Sequence, residues 1–327
     1  MTMTTEDRRH PSIAVLIPCY NEELTIGEVV RQFRQQLPNA RIYVFDNNSQ
    51  DHTAQKASEA GAIVYHEPRQ GKGFVVQAMF RRISAEIYVM VDGDGTYDPA
   101  EVHALIEPVQ CGDADMVVGS RLVDASKAEF EALNRFGNRM FLALLNRLFR
   151  VQLTDMLSGY RAFGRTFTRT VPLRGGGFET EAELTIKALQ RGLRIVEVPA
   201  RLAKRPEGSF SKIRVTSDGL RILGMMFSLF RDYKPLTFFG ALGLIAIALG
   251  LVPGTMVVTE FLRTGLVPRL PSAVLAVGLV LSGMLSFTVG LVLHTIARRS
   301  QEFDYQARML IEDLEQRLDR RAERSWL

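Results

Sequence analysis

The chain has 327 residues, with 40 Lys and Arg against 36 Asp and Glu, for a net charge of +4. That length allows one large or two ordinary domains, and so mild a charge argues against a nucleic-acid binder, which shows a dense basic patch. The two cysteines, Cys19 and Cys111, lie far apart with no CxxC or Cys/His spacing, which argues against a zinc site and fits reduced thiols.

Residues 1–10 are polar and read as a disordered N-terminus. The apolar run that follows is too short for a signal-peptide core, so the first part of the chain is expected in the cytosol. "SIAVLIPCY" is a continuous apolar run, as expected of a strand buried on both faces. "NEELTIGEVVRQFRQQL" has near-helical apolar spacing. "ARIYVFD" reads as a second strand, "SQDHTAQKASEAG" as a helix stopped by Gly61, and "AIVYHE" as a third strand. "GKGFVVQAMFRRIS" starts a third helix and "EIYVMVD" is a fourth strand. This alternation predicts an α/β domain with a mostly parallel, Rossmann-like sheet over residues 11–213.

Ligands of such sheets bind at the carboxyl ends of the strands. Those ends carry Tyr20 and Glu22, then Asp46 and Asn48, then Arg69 to Gly73, then Asp92 and Asp94. Asp92, Asp94 and Asp98 fall within seven positions of "VMVDGDGTYDP". Calcium in an EF-hand loop is excluded, because the sixth and twelfth positions hold Tyr97 and His103 instead of Gly and Glu. A divalent metal on a nucleotide diphosphate fits better, since Mg²⁺ and Mn²⁺ take few carboxylates plus substrate phosphates. Asp98, just before Pro99, reads as a helix N-cap.

Residues 214–234 are rich in apolar side chains punctuated by charges, which suits an interfacial helix or the last core helix. No charged residue occurs from Pro235 to Thr259, nor from Leu270 to Ala297 with His294 neutral. Each run exceeds the roughly 20 residues that span a bilayer, so 235–297 reads as a hairpin of two transmembrane helices, about 236–258 and 271–296. Basic residues flank it, Arg231 and Lys234 before, Arg298 and Arg299 after. That predicts that residues 11–213 and both termini lie in the cytoplasm, in a protein integral to a plasma membrane of bacterial type. Residues 298–327 read as a solvated helix, compatible with a homo-oligomer contact.

"IPCYNEE", "VFDNNSQDHT", "RQGKGFVVQA" and "VMVDGDGTYDP", in this order, resemble the family 2 inverting glycosyltransferases of GT-A fold. "VVGSRL", "NRFGNRMF", "DMLSGYRAFGR", "GGFETEAELTIKAL" and "EVPARLAKRPEGSFSKI" narrow the likeness to the polyprenyl-phosphate glycosyltransferases related to dolichyl-phosphate mannose synthase. The resemblance covers about residues 11 to 235. It implies transfer of a sugar, with inversion, from a nucleotide diphosphate sugar to a polyprenyl phosphate. A UDP-sugar is favoured over GDP-mannose. Pro18, Tyr20, Glu22, Asp46, Asn48, Lys72 and Asp92 would hold the nucleotide sugar, and Asp92 and Asp94 a Mg²⁺ or Mn²⁺. Arg121, Arg135, Arg205 and Lys212 would hold the acceptor phosphate. Asp94, Asp155 and Lys72 would serve catalysis, with Asp155 either a base or a ligand of sugar or acceptor. Glu181 either faces the site or caps its helix.

Two departures stand out: glycine, not alanine, separates the metal aspartates, and Thr96 sits where some relatives have a metal-ligating glutamine. Three alternatives stay open. A haloacid dehalogenase-like phosphatase would use Asp92 as nucleophile, but its motif belongs on the first strand. A processive polysaccharide synthase would need more membrane helices and a QxxRW motif, and the only tryptophan is Trp326. A non-catalytic membrane scaffold would have no use for Asp92, Asp94 and Lys72.

Overall fold

The structure, a computed structural model, describes residues 11–121, 142–143, 145–147, 149–173, 180–202, 228, 231–232 and 234–324. Contacts divide the chain into two units, 1–213 and 214–327. The first carries strands β1 (Ile13–Cys19), β2 (Arg41–Asp46), β3 (Ile63–His66), β4 (Ile87–Met90), β5 (Met116–Ser120), β6 (Arg161–Gly164) and β7 (Ile195–Pro199). Its helices are α1 (Ile26–Gln36), α2 (Thr53–Glu59), α3 (Lys72–Arg82), α4 (Val102–Gln110), α5 (Arg165–Thr170) and α6 (Thr180–Gln190).

The sheet order is β3-β2-β1-β4-β6-β5-β7. Strand β6 runs antiparallel to both neighbours and the other pairings are parallel. Apolar side chains leave both faces, as the period of two requires. Val15, Ile17 and Cys19 of β1 join one core with Phe33 of α1 and Val102 of α4. Leu16 joins the other with Met79 of α3, Phe163 of β6 and Phe167 of α5. Burial on both faces explains why the central strands read as unbroken apolar runs. The order turns in opposite directions from β1, toward β2 and β4, which is where a crevice opens in sheets of this kind.

Local differences from the sequence expectation have physical causes. Helix α1 begins at Ile26, not Asn21, because Asn21 is left-handed with φ 52° and the Glu22 carbonyl closes a turn onto Thr25 and Ile26. Helix α2 begins at Thr53, because Asp51 accepts from the Thr53 amide and hydroxyl ahead of it. Asp98 caps as expected: its side chain accepts from the Ala100 amide at 2.9 Å and starts a 3-10 turn, Pro99–Glu101. A lone antiparallel bridge joins Tyr97 to Leu202, and the Arg201 amide donates to Glu101 at 2.9 Å.

The second unit contains helices α7 (Pro235–Thr264) and α8 (Leu270–Arg324). Residues 235–264 and 270–300 are long and apolar enough to cross a membrane. Helix α8 continues to Arg324, so the helix expected over 298–327 runs on from the second apolar one. Gly265, with φ 69°, ends α7 in the left-handed cap that glycine favours. The helices meet backbone to backbone: a Cβ on Gly283 would lie 2.6 Å from the Gly243 carbonyl oxygen and 2.6 Å from Ile247. Small residues permit such close approach between helices in lipid. Gly283→Leu therefore forces the pair apart, with an expected loss of about 2 kcal/mol, readable by chemical unfolding in detergent micelles.

Candidate active site

Three strand ends and one loop build the left side of the crevice. Asn47, at the end of β2, is buried. Its amide donates to the carbonyls of Glu67 (2.9 Å) and Arg69 (2.8 Å), and its oxygen accepts from the Gly71 amide at 2.7 Å. One side chain thus moulds the loop that delivers Lys72 to the start of α3. Asn48, left-handed at φ 62°, donates to the Pro68 carbonyl at 2.8 Å and shapes the same loop. Asp46 is buried; its Oδ2 lies 3.3 Å from His66 Nδ1 and 3.4 Å from the Ser49 amide. Its Oδ1 is buried and accepts no hydrogen bond among the described residues, an arrangement that is costly without a ligand donor. Pro18 sits beside Phe45 in the sheet register. The Glu22 amide donates to Thr53 Oγ1 at 2.8 Å, which ties the turn after β1, where Tyr20 also lies, to the start of α2.

Lys72 occupies the centre. It pairs with Asp92, and with Glu181 at 2.5 Å. Burial works against its charge, but the two carboxylates outweigh burial and hold its pKa above the usual lysine value. Glu181, left open between site and cap, therefore faces the site. Asp94 is buried and its Oδ1 accepts from the Thr96 amide (3.1 Å) and hydroxyl (2.6 Å). Thr96 thus orients the aspartate. Gly93 has a steric reason: a Cβ there would lie 2.6 Å from Cys19 Sγ. Gly159 approaches Asp92 from the other side, and a Cβ on it would run into the Asp92 carboxylate.

The donor set suits a hard divalent cation. Asp92 is partly exposed, its Oδ2 accepts no hydrogen bond among the described residues, and Asp94 stands two positions away. Among the described residues no group of three His, Cys, Asp or Glu could hold a metal, so an ion here would need further ligands from its substrate.

On the far side Arg121, just past β5, grips Asp155 through Nε (2.7 Å) and Nη2 (3.0 Å). The amides of Arg121 and Leu157 donate to the same carboxylate. Burial alone would raise the Asp155 pKa, but Arg121 holds it below the usual carboxylate range. Glu197 of β7 accepts from the backbone amides of Thr154 and Asp155 and so fixes the loop that carries Asp155. Arg161 lies fully buried behind that loop, and burial pushes its guanidinium down to about 10. Arg135, Arg205 and Lys212 lie outside the described residues.

Sequence reasoning missed Asn47, Gly159, Arg161 and Glu197 as site builders. Arg161 and Gly159 sit inside the "SGYR" stretch already singled out, but a buried arginine and an exposed one are the same letter.

The glycosyl transferase family 2 model matches residues 14–171. The chain is 34% identical over 245 residues to glycosyltransferase AglJ of Haloferax volcanii, covering 73% of this chain and 79% of that protein. It is 27% identical over 213 residues to an undecaprenyl-phosphate mannosyltransferase of Micrococcus luteus, covering 60% and 85%. The fold is similar to that of glucosyl-3-phosphoglycerate synthase from Mycobacterium tuberculosis, with a TM-score of 0.55 at 24% identity over 67% of this chain and 80% of that one. The phosphatase-like order of elements is thereby set aside: the acidic pair follows the fourth strand of a glycosyltransferase sheet, and the chain belongs to glycosyl transferase family 2.

Proposed function

We propose that the protein transfers a sugar, with inversion, from a uridine diphosphate sugar to a polyprenyl phosphate such as undecaprenyl phosphate. The observation that carries this reading is the pair of cation–carboxylate centres beyond the carboxyl ends of β4 and β5. Lys72 with Asp92 and Glu181 suits the diphosphate of a donor, and Arg121 with Asp155 suits a phosphate acceptor. The Nε–Nη2 edge of Arg121 is taken by Asp155, which would hold the guanidinium so that Nη1, with no hydrogen bond among the described residues, meets a phosphate oxygen. The two apolar helices would hold the enzyme where a lipid acceptor lives, which raises the acceptor's effective concentration. Basic residues at both flanks support a cytoplasmic catalytic unit and cytoplasmic termini. Names among the relatives point the same way: a polyprenol monophosphomannose synthase of Mycolicibacterium smegmatis is 28% identical over 208 residues.

In the reaction an acceptor phosphate oxygen attacks the anomeric carbon as the bond to the nucleoside diphosphate breaks. Negative charge moves onto the leaving diphosphate, where the Lys72 ammonium offsets it. Such preorganised charge is usually the largest catalytic contribution. Asp92 and Asp94 would hold a Mg²⁺ or Mn²⁺, which supplies further Lewis-acid stabilisation of the diphosphate. A glucosyl-3-phosphoglycerate synthase of this fold has been solved with Mn²⁺ and UDP-glucose, which supports that assignment. Asp46 Oδ1, buried without a donor, suits the single ring N–H of uracil. Pro18, Tyr20, Glu22 and Asn48 would line or brace the nucleoside end. Arg135, Arg205 and Lys212 would complete the acceptor side.

Asp155 is not required as a base. Arg121 and two amides already occupy its oxygens. A group whose folded pKa is depressed keeps its interaction above the unfolded value, and loses it only as pH falls through the depressed one. The Arg121–Asp155 pair is therefore intact from neutral pH down into the carboxylate range. A phosphate monoester takes up its second proton near pH 6. kcat/KM for the acceptor is thus expected to fall below about pH 6 because the acceptor protonates. Asp155→Asn should lower the plateau and leave that inflection in place, as a pH–rate profile of both proteins would reveal.

The direct test is to incubate the membrane-embedded protein with undecaprenyl phosphate, Mn²⁺ or Mg²⁺ and a panel of nucleotide sugars. Lipid-linked product is read by mass. Product with a UDP-sugar, abolished by a chelator, is the expected result. No product with any donor overturns the function, and undiminished product without metal overturns the role given to Asp92 and Asp94.

A further inference from the structure

Arg161 opens β6, and its side chain is among the largest that are fully buried. A buried guanidinium is costly unless its charge and donors are compensated. Among the described residues no carboxylate lies within ion-pair distance of it; its donors go elsewhere. Nε donates to the Ser158 carbonyl at 2.8 Å, Nη2 to the Met156 carbonyl at 2.6 Å, and Nη1 to Thr185 Oγ1 at 2.8 Å.

These acceptors sit at the joints of the site. Met156 follows Asp155, the partner of Arg121. Ser158 precedes Gly159, the residue that abuts the Asp92 carboxylate. Thr185 lies one turn along α6 from Glu181, the partner of Lys72, and its hydroxyl donates to the Glu181 carbonyl at 3.0 Å. One rigid planar fork therefore joins the segment on the acceptor side to both segments on the donor side. An apolar residue of similar volume would avoid the burial cost, but could not join three segments. Lysine has the charge without the fork.

We propose that Arg161 is a positioning residue that sets the spacing between the donor and acceptor halves of the site. It acts through Met156, Ser158 and Thr185 and does not touch substrate. The inference rests on the transfer reaction proposed above. In-line displacement demands that the acceptor oxygen and the anomeric carbon meet in a near-attack geometry, and small misplacements cost rate more than binding.

The test uses the full chain in lipid nanodiscs. Arg161→Met is expected to lower kcat about 100-fold while KM for donor and for acceptor each move less than about threefold. Thr185→Val removes one prong of the network and should lower kcat about fivefold. Arg161→Met is also combined with Asp155→Asn and with Glu181→Gln. If Arg161 works by aligning the two halves, its loss matters little once either half is displaced, so in each background it should cost less than about threefold. A merely structural arginine would give additive losses in both backgrounds, and that result overturns the proposal. So does a kcat unchanged in Arg161→Met or in Thr185→Val.

Hydrogen exchange supplies a readout independent of turnover. Thr185→Val and Arg161→Lys should raise exchange together in residues 154–160 and 180–186. Exchange raised in one segment alone, or in neither, refutes the link. If Arg161→Met does not fold, the lysine and valine variants decide by both readouts. If the wild-type protein makes no lipid-linked product, the transfer reading fails, and exchange still decides whether Arg161 joins the segments.

Discussion

Gly159→Ala is expected to lower kcat/KM about 100-fold or more while the unfolding midpoint stays near that of the wild type. Gly159 is not among the glycines with positive φ, so alanine fits its backbone. The obstacle is the added methyl, whose three nearest atoms would all belong to the Asp92 carboxylate. Asp92 cannot retreat freely, because Lys72 holds it and Glu181 holds Lys72. The displacement thus travels through the whole donor half. Gly112→Ala is the reverse case. Gly112 has φ 76° and nothing within 4 Å of its missing Cβ. Alanine there costs about 1 kcal/mol of stability through backbone strain and leaves kcat/KM unchanged. Kinetics and thermal unfolding of both variants separate the two effects. A fully active Gly159→Ala would mean that the position of Asp92 does not matter.

Asp94→Asn is expected to reduce sugar transfer about 1,000-fold at saturating donor, a loss typical of removing a charge that stabilises a transition state. The asparagine oxygen can still accept from the Thr96 amide and hydroxyl, so the turn after β4 survives. What disappears is the second anionic oxygen donor beside Asp92. Hard divalent cations strongly prefer carboxylate to amide oxygen at such positions. Mn²⁺ titration followed by electron paramagnetic resonance should show weakened metal binding in step with the lost rate. Wild-type Mn²⁺ affinity combined with lost activity would assign Asp94 to the sugar instead of the metal.

The central sheet was legible in the sequence because β1, β2 and β4 are buried on both faces and so spell themselves as apolar runs. Asp98 was legible as a cap because proline follows it. Strand β6 was not, since four residues beginning with arginine do not look like a strand inserted antiparallel between β4 and β5. Lys72, Asp92 and Asp94 announced themselves by lying at strand ends. The partner of Lys72 did not: Glu181 arrives from a helix more than a hundred positions away, and only tertiary packing joins them. Asp155 was singled out only through the family resemblance, and its grip on Arg121 depends on a loop held by Glu197 from the sheet's edge. Local patterns encode which face a residue occupies; they do not encode which distant charge it meets.

The bridge between Tyr97 and Leu202 has a consequence for engineering. The turn after Asp92 and Asp94 and the segment that ends at Leu202 are joined there, and joined again where the Arg201 amide meets Glu101. A chimaera that takes the stretch from 201 onward from a relative, to test the acceptor role proposed for it, cuts through both joins. Such a graft should be made as two pieces, 97–101 together with the stretch that begins at 201, because Arg201 and Leu202 are held by Glu101 and Tyr97.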